Sequence, residues 1–305
     1  PVLLGLASGL PGADAPPASI SISVEAVKKS EVNSHIFGMM TEHYLEKWHT
    51  DDSQFIRLVK EMGGVSQFQY PGGTFSKYWH YSPGVLGYGI KQEEVPANGP
   101  YKIGTPTESY LQKYIRLCQQ TGAEAIVAGN VLRGTPAELD GALREIKQQG
   151  VRVLSVILGV ELHLKRDPLT PEEYAERAKN YVEMLHSRHP EVKIYAWAEP
   201  MEREEERDSR AWNARIGKLA GIDGLVQYQW CRNGVPPGRT LDEQFDNGMK
   251  GLQDFFRRLD VMNGELQRFS PHWTIDQWGM VDRSSPGGAK SFYGATMLQF
   301  IHTCW

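Results

Sequence analysis

From Ile36 onward, short apolar runs of strand length alternate with longer stretches whose apolar positions recur with helical period. The runs rich in β-branched and aromatic residues are His35–Tyr44, Val65–Tyr70, Glu124–Asn130, Val151–Glu161, Val192–Ala198, Gly224–Trp230 and His272–Trp278. Between and after them the pattern predicts helices near Asp51–Met62, Thr107–Thr121, Pro136–Gln149, Thr170–His189, Ser209–Ala220, Leu241–Met262 and Ala289–Trp305. The start at Thr170-Pro171-Glu172-Glu173 is the most explicit of these. Thr170 is placed to cap the first turn, Pro171 already has helical φ, and two acids face the positive end of the helix dipole. Strands and helices in strict alternation predict a parallel α/β protein.

Two architectures fit that alternation. An open doubly wound sheet normally announces itself by a glycine fingerprint after its first strand, and none follows His35–Tyr44. Helices of even length after each strand favour a (β/α)₈ TIM barrel, which needs roughly 250 residues; the chain has 305. Only seven β/α units are legible, and an eighth strand, if Ala289–Trp305 contains it, carries no visible pattern. Residues 1–18 are expected to form an N-terminal arm or signal-peptide remnant, 19–34 a lead-in strand, and 35–305 the barrel. The apolar opening run ends in Ala13-Asp14-Ala15, a small-residue site of the secretory kind, so the expected address is secreted, periplasmic or cell-surface.

Charge and cysteine content narrow the chemistry. A formal net charge of −4 gives no electrostatic reason to expect nucleic acid as a partner. Cys118, Cys231 and Cys304 are too scattered for a disulfide framework and lack metal-ligand spacing, so buried thiols are expected, with no metal and no cofactor. In a barrel the chemistry sits at the C-terminal ends of the strands. Those ends carry Glu42, Tyr70 with Pro71-Gly72-Gly73, Asn130, Glu161, Glu199, Trp230, and Asp276-Gln277-Trp278, with Trp79 in the loop after the second strand. Carboxylates among aromatics suit sugars, since rings stack on aromatic faces and two carboxyl groups flank a glycosidic bond in its hydrolysis. The plain alternative for each aromatic is core packing, and for each lone Glu a solvated rim position.

The strand-end sequences resemble those of the clan A retaining glycoside hydrolases, nearest to the α-L-arabinofuranosidase, β-xylosidase and β-glucuronidase/heparanase-like group. Ser19–Gly38 resembles that group's lead-in strand, Tyr70-Pro71-Gly72-Gly73-Thr74-Phe75 its second-strand motif, and Gly129–Glu138 its third-strand loop. Leu158-Gly159-Val160-Glu161-Leu162 resembles the acid/base motif Gly-Asn-Glu, and Ile275-Asp276-Gln277-Trp278-Gly279 the nucleophile motif Thr-Glu-Trp-Gly. The resemblance implies Glu161 at the general acid/base position and Gln277 at the nucleophile position. It also implies a substrate-binding role for Glu42, Tyr70, Gly72, Trp79, Asn130, Glu199, Trp230 and Trp278, and an oligo- or polysaccharide ligand.

The departures lie at the chemistry. Gln277 is a neutral amide and cannot form the covalent glycosyl-enzyme of a retaining mechanism. The Arg expected before the Tyr-Pro-Gly-Gly run is Gln69, the Asn expected before the acid/base is Val160, and strand six ends in Tyr228-Gln229-Trp230 instead of the His/Tyr pattern. A buried Arg at 69 without a carboxylate at 277 would be an uncompensated charge, so these losses belong together. Asp276 is adjacent, but simple strand alternation sends it toward the barrel wall. The expectation is a catalytically degenerate pseudo-glycosidase serving as a carbohydrate-binding or structural subunit. The alternative is an active glycosidase using Glu161 with a non-standard or engineered-out nucleophile. In the resembling families the lead-in strand joins a β-sandwich completed after the barrel; the expectation here is a missing or incomplete sandwich, so that either the sequence is a fragment or a protein partner covers the strand and arm.

Overall fold

The computed structural model describes residues 38–41, 53–61, 63–81, 109–162, 169–199, 207–233, 241–269 and 273–282. The arm, the lead-in strand, Glu42 and the expected helix at Ala289–Trp305 lie outside them.

The described strands are β1 (Gly38–Met40), β2 (Gln67–Tyr70), β3 (Glu124–Gly129), β4 (Val153–Leu158), β5 (Lys193–Trp197), β6 (Gly224–Asn233) and β7 (Trp273–Asp282). The helices between them are α1 (Ser53–Glu61), α2 (Tyr110–Thr121), α3 (Pro136–Gln148), α4 (Pro171–Arg188), α5 (Arg207–Ile216) and α6 (Leu241–Leu266). All ladders are parallel and the strands lie in sequence order, β1 to β7. That order decides between the two architectures: a doubly wound sheet reverses direction at an internal strand, whereas a barrel adds each strand to the same side of the last. The sheet is the seven-stranded described part of a (β/α)₈ barrel.

Several boundaries tighten relative to the sequence reading. The first strand shrinks to three described residues, the fourth ends at Leu158 with Glu161 beyond it, and the sixth and seventh extend to Asn233 and Asp282. The predicted start of α4 is met in detail. Thr170 Oγ1 accepts from the Glu173 amide at 3.1 Å, and the Thr170 amide donates to Glu173 Oε2 at 2.8 Å. Thr135 and Glu138 build the same reciprocal cap at the start of α3.

The two faces of the sheet are distinguishable. Tyr70 stacks on Tyr114 of α2, with ring centroids 5.0 Å apart, and a Cβ on Gly129 would meet Leu139 of α3 at 3.3 Å. Tyr70, Val127 and Gly129 therefore face the helices, and the ladder carries the opposite face through Gln69, Ile126, Ala128, Ile157, Tyr195 and Trp197 to Val226. The latter set lines the barrel interior. Phe68, Val127, Val156, Leu158, Ile194, Ala196 and Leu225 bury the helix side of the sheet completely or nearly so. Among the described residues, no helix is long and apolar enough to cross a membrane.

Candidate functional site

Because every described strand is parallel, the C-terminal ends of β2, β3, β4, β5 and β7 share one rim. The loop after β4 is its most unusual segment. Gly159 leaves the strand at φ 78°, its amide donating to the Gly129 carbonyl at 2.9 Å, and a Cβ there would lie 2.4 Å from Leu162 Cδ1. Val160 and Leu162 are buried on either side of the half-buried Glu161. Glu161 itself is held at φ 53°, the one left-handed non-glycine residue among those described. A side chain in that conformation costs about 1–3 kcal/mol, and such strain gathers where a side chain is being aimed.

The framework around Glu161 is tied from α4 and α5. The Tyr174 hydroxyl donates to the Leu158 carbonyl at 2.5 Å and accepts from the Trp197 amide at 2.9 Å, joining the ends of β4 and β5. Burial pushes that phenol well above its ordinary value, so it stays a neutral donor. Trp212 Nε1 donates to the Trp197 carbonyl at 3.0 Å. Asn213, fully buried, grips the backbone of Glu199: its Oδ1 accepts from the Glu199 amide at 2.8 Å and its Nδ2 donates to the Glu199 carbonyl at 3.1 Å. Sequence reading missed Tyr174 and Asn213, because both lie inside helices where nothing local distinguishes them from core or surface residues.

The second- and third-strand loops are joined in the same way. Asn130 Nδ2 donates to the Trp79 carbonyl at 2.8 Å, Asn130 Oδ1 accepts from the Arg133 amide at 2.9 Å, and Tyr181 donates to the Asn130 carbonyl at 2.7 Å. His80 Nδ1 lies 2.9 Å from Glu138 Oε1, fastening the loop to the cap of α3. Tyr70 and Trp79 are buried, edge to face with centroids 5.6 Å apart, inside the core cluster. Gly72 is required sterically: its amide donates to the Thr41 carbonyl at 2.9 Å, and a Cβ would stand 2.6 Å from that same oxygen. Gln69, at the position of the expected Arg, is buried on the interior face, and its carbonyl accepts from the Thr41 amide and hydroxyl at 2.9 and 2.5 Å.

The β6–β7 ladder is irregular at one point. Gln227 pairs with Ile275, but the next residue, Tyr228, pairs with Gln277, leaving Asp276 as an extra residue in β7. The bulge interrupts the regular alternation along β7 at this point. For Gln277, Trp278 and Trp230 the structure describes the backbone, at the paired rungs Tyr228–Gln277, Gln229–Trp278 and Trp230–Gly279. Among the described residues no group of three or more His, Cys, Asp or Glu side chains is placed to hold a metal. Cys118 is a buried free thiol, and burial pushes it up to about 12.

No family model matches the chain, and no curated protein does. Solved structures match. The family 51 arabinofuranosidase of Xanthomonas axonopodis pv. citri superposes with a TM-score of 0.63 at 16% identity, over 88% of this chain and 63% of its own. The chain and this enzyme share the (β/α)₈ barrel fold. A family 51 α-L-arabinofuranosidase from Bifidobacterium longum gives 0.60 at 16% identity, over 82% of this chain and 56% of its own. A 4-O-α-L-rhamnosyl-β-D-glucuronidase from Fusarium oxysporum 12S gives 0.56 at 11% identity, over 86% and 57%. The chain thus spans less than two thirds of the length of these three proteins. What it shares with the glycoside hydrolase barrels at these identities is architecture.

Proposed function

We propose that this barrel binds neutral oligo- or polysaccharide at the C-terminal ends of its strands without hydrolysing it by the retaining route. The observation that carries the reading is Glu161, kept in a strained left-handed conformation at the end of β4 on a framework tied by Tyr174. A residue with no role would be free to relax to glycine or asparagine there. Its counterpart at position 277 of β7 is the neutral Gln277, which can donate and accept hydrogen bonds but cannot attack an anomeric carbon. Gln69 and Val160 fit the same loss, since Gln69 supplies no cation for a working nucleophile and Val160 no amide for a 2-hydroxyl contact. The arabinofuranosidase likeness makes arabinose- and xylose-containing oligosaccharides the first ligands to try.

The test is turnover of p-nitrophenyl α-L-arabinofuranoside and β-D-xyloside alongside calorimetric binding of the corresponding oligosaccharides. The expected result is binding without turnover, and Gln277→Glu alone leaves turnover absent because Gln69 and Val160 remain. Turnover by the unmodified protein that disappears in Glu161→Gln would sink the loss of hydrolysis. Absence of binding to every sugar tried would sink the carbohydrate role.

A further inference from the structure

Between α3 and α4 a carboxylate, an imidazole and an amine stand in line. Asp140 and His189 are both buried, and Asp140 Oδ1 lies 3.0 Å from His189 Nε2. On the other ring nitrogen, Lys147 Nζ stands 2.7 Å from Nδ1. An ammonium only donates, so Nδ1 accepts and the ring proton sits on Nε2, facing the Asp140 carboxylate. Lys147 is also paired with the exposed Glu191, and 27% of its side chain is open to solvent. Two guanidiniums, each more than half exposed, converge on Asp140 Oδ2: Arg144 Nη2 at 2.8 Å and Arg188 Nη1 at 2.6 Å. The same line of groups activates hydroxyl and thiol nucleophiles elsewhere; here its third member is an amine. Burial, with Lys147 nearby, keeps the imidazole below its ordinary 6.5 despite Asp140, so Nδ1 is open to a proton at neutral pH.

We propose that Lys147 is a site of self-acylation by acyl phosphates, with His189 as general base and Arg144 and Arg188 holding the phosphate. Once unprotonated, Lys147 Nζ attacks the acyl carbonyl; a C–N bond forms and the C–O bond to phosphate breaks. The attacking nitrogen becomes cationic and gives its proton to His189 Nδ1, which passes it to the departing phosphate. The products are an amide on Lys147 and hydrogen phosphate. Asp140 holds the ring in this tautomer and stabilises its transient positive charge. Guanidiniums match the oxygens of a phosphate in geometry and charge, which selects acyl phosphates over thioesters as the donor. The amide carries no charge, so acylation also ends the ion pair with Glu191.

The experiment is incubation of the full chain with acetyl phosphate at neutral pH, followed by mass spectrometry of acetyl-lysine over time. Lys179, exposed on α4 and paired only with Glu183 at 3.9 Å, is the internal reference. Lys147 is expected to be acetylated about tenfold faster than Lys179 or more, although it is the less exposed of the two. His189→Asn brings Lys147 down to the rate of Lys179 or below and leaves Lys179 unchanged. A rate at Lys147 no faster than at Lys179, or one that His189→Asn does not alter, overturns the proposal. An unchanged rate in the double variant Arg144→Gln, Arg188→Gln overturns acyl phosphate as the donor class. Should His189→Asn misfold by circular dichroism, the pH profile of the unmodified protein decides. The ratio of Lys147 to Lys179 acetylation falls as His189 takes up its proton below pH 6.5, and a constant ratio overturns the proposal.

Discussion

The Tyr174 hydroxyl donates to the Leu158 carbonyl at 2.5 Å, fixing the last residue of β4 to α4, the helix that follows it. The same oxygen accepts from the Trp197 amide at the end of β5. One buried phenol thus sets the spacing of two strand ends from which Glu161 and Glu199 project their loops. Hydrogen bonds of this kind position a site without touching its ligand.

Tyr174→Phe keeps the ring and removes the hydroxyl, leaving a buried carbonyl and a buried amide without this partner. The variant is expected to lose about 1–3 kcal/mol of stability in urea unfolding. Sugar binding should weaken with it, because the β4 and β5 ends are no longer held together.

Glu161 should trade stability for function. Replacement by glycine removes the left-handed strain and is expected to raise stability by about 1 kcal/mol or more, with glycine's larger unfolded-state freedom taking back part of the gain. The thermal midpoint and the oligosaccharide affinity are measured together: the first rises and the second falls. A fall in both would mean that Glu161 is held by its surroundings for structural reasons.

Gln227 is fully buried on the helix side of β6, and neither its Nε2 nor its Oε1 has a hydrogen-bond partner. Unmade hydrogen bonds on buried polar groups cost about 1–3 kcal/mol each, whereas an apolar chain of similar length has none to make. Gln227→Met is therefore expected to stabilise the protein by about 1–3 kcal/mol in chemical denaturation.

Acid should loosen the contact between α3 and α4. Lys147 Nζ lies 2.7 Å from His189 Nδ1, so that nitrogen accepts and Nε2–H donates to Asp140 Oδ1 at 3.0 Å, while Arg188 Nη1 reaches Asp140 Oδ2 at 2.6 Å. Burial, with Lys147 nearby, lowers the His189 imidazole below its ordinary 6.5 despite Asp140. For Asp140 burial opposes ionisation, but the hydrogen bonds from Arg188 and His189 outweigh it and hold the carboxyl below its ordinary 3.8. In both groups the folded value lies under the unfolded one. The stability they contribute is complete above the unfolded values and is lost as the pH falls through the folded ones. Urea midpoints should decline below pH 6.5 and again below 3.8. His189→Asn should abolish the first decline and leave the second.

Much of this was legible in the chain because it depends on local order. Alternating periods gave the β/α units, and Thr170-Pro171-Glu172-Glu173 marked a helix start whose reciprocal cap is formed as expected. Glu161 stood out because an apolar strand runs directly into it. Such features rest on short-range sterics and hydrogen bonding, which the sequence states outright.

Other relationships needed the tertiary structure. Tyr174 and Asn213 gain their positioning roles only when α4 and α5 pack against the ends of β4 and β5, and no neighbour in sequence hints at those partners. The register of β6 against β7 is the sharpest case. Alternation read along β7 alone implies an unbroken ladder, but the register is set by pairing with the neighbouring strand. There Tyr228 meets Gln277 and leaves Asp276 over. The sequence by itself determined the barrel's units and the identity of the rim residues. Only the folded sheet decided the register between β6 and β7, because ladder hydrogen bonds form between segments that the sequence keeps far apart.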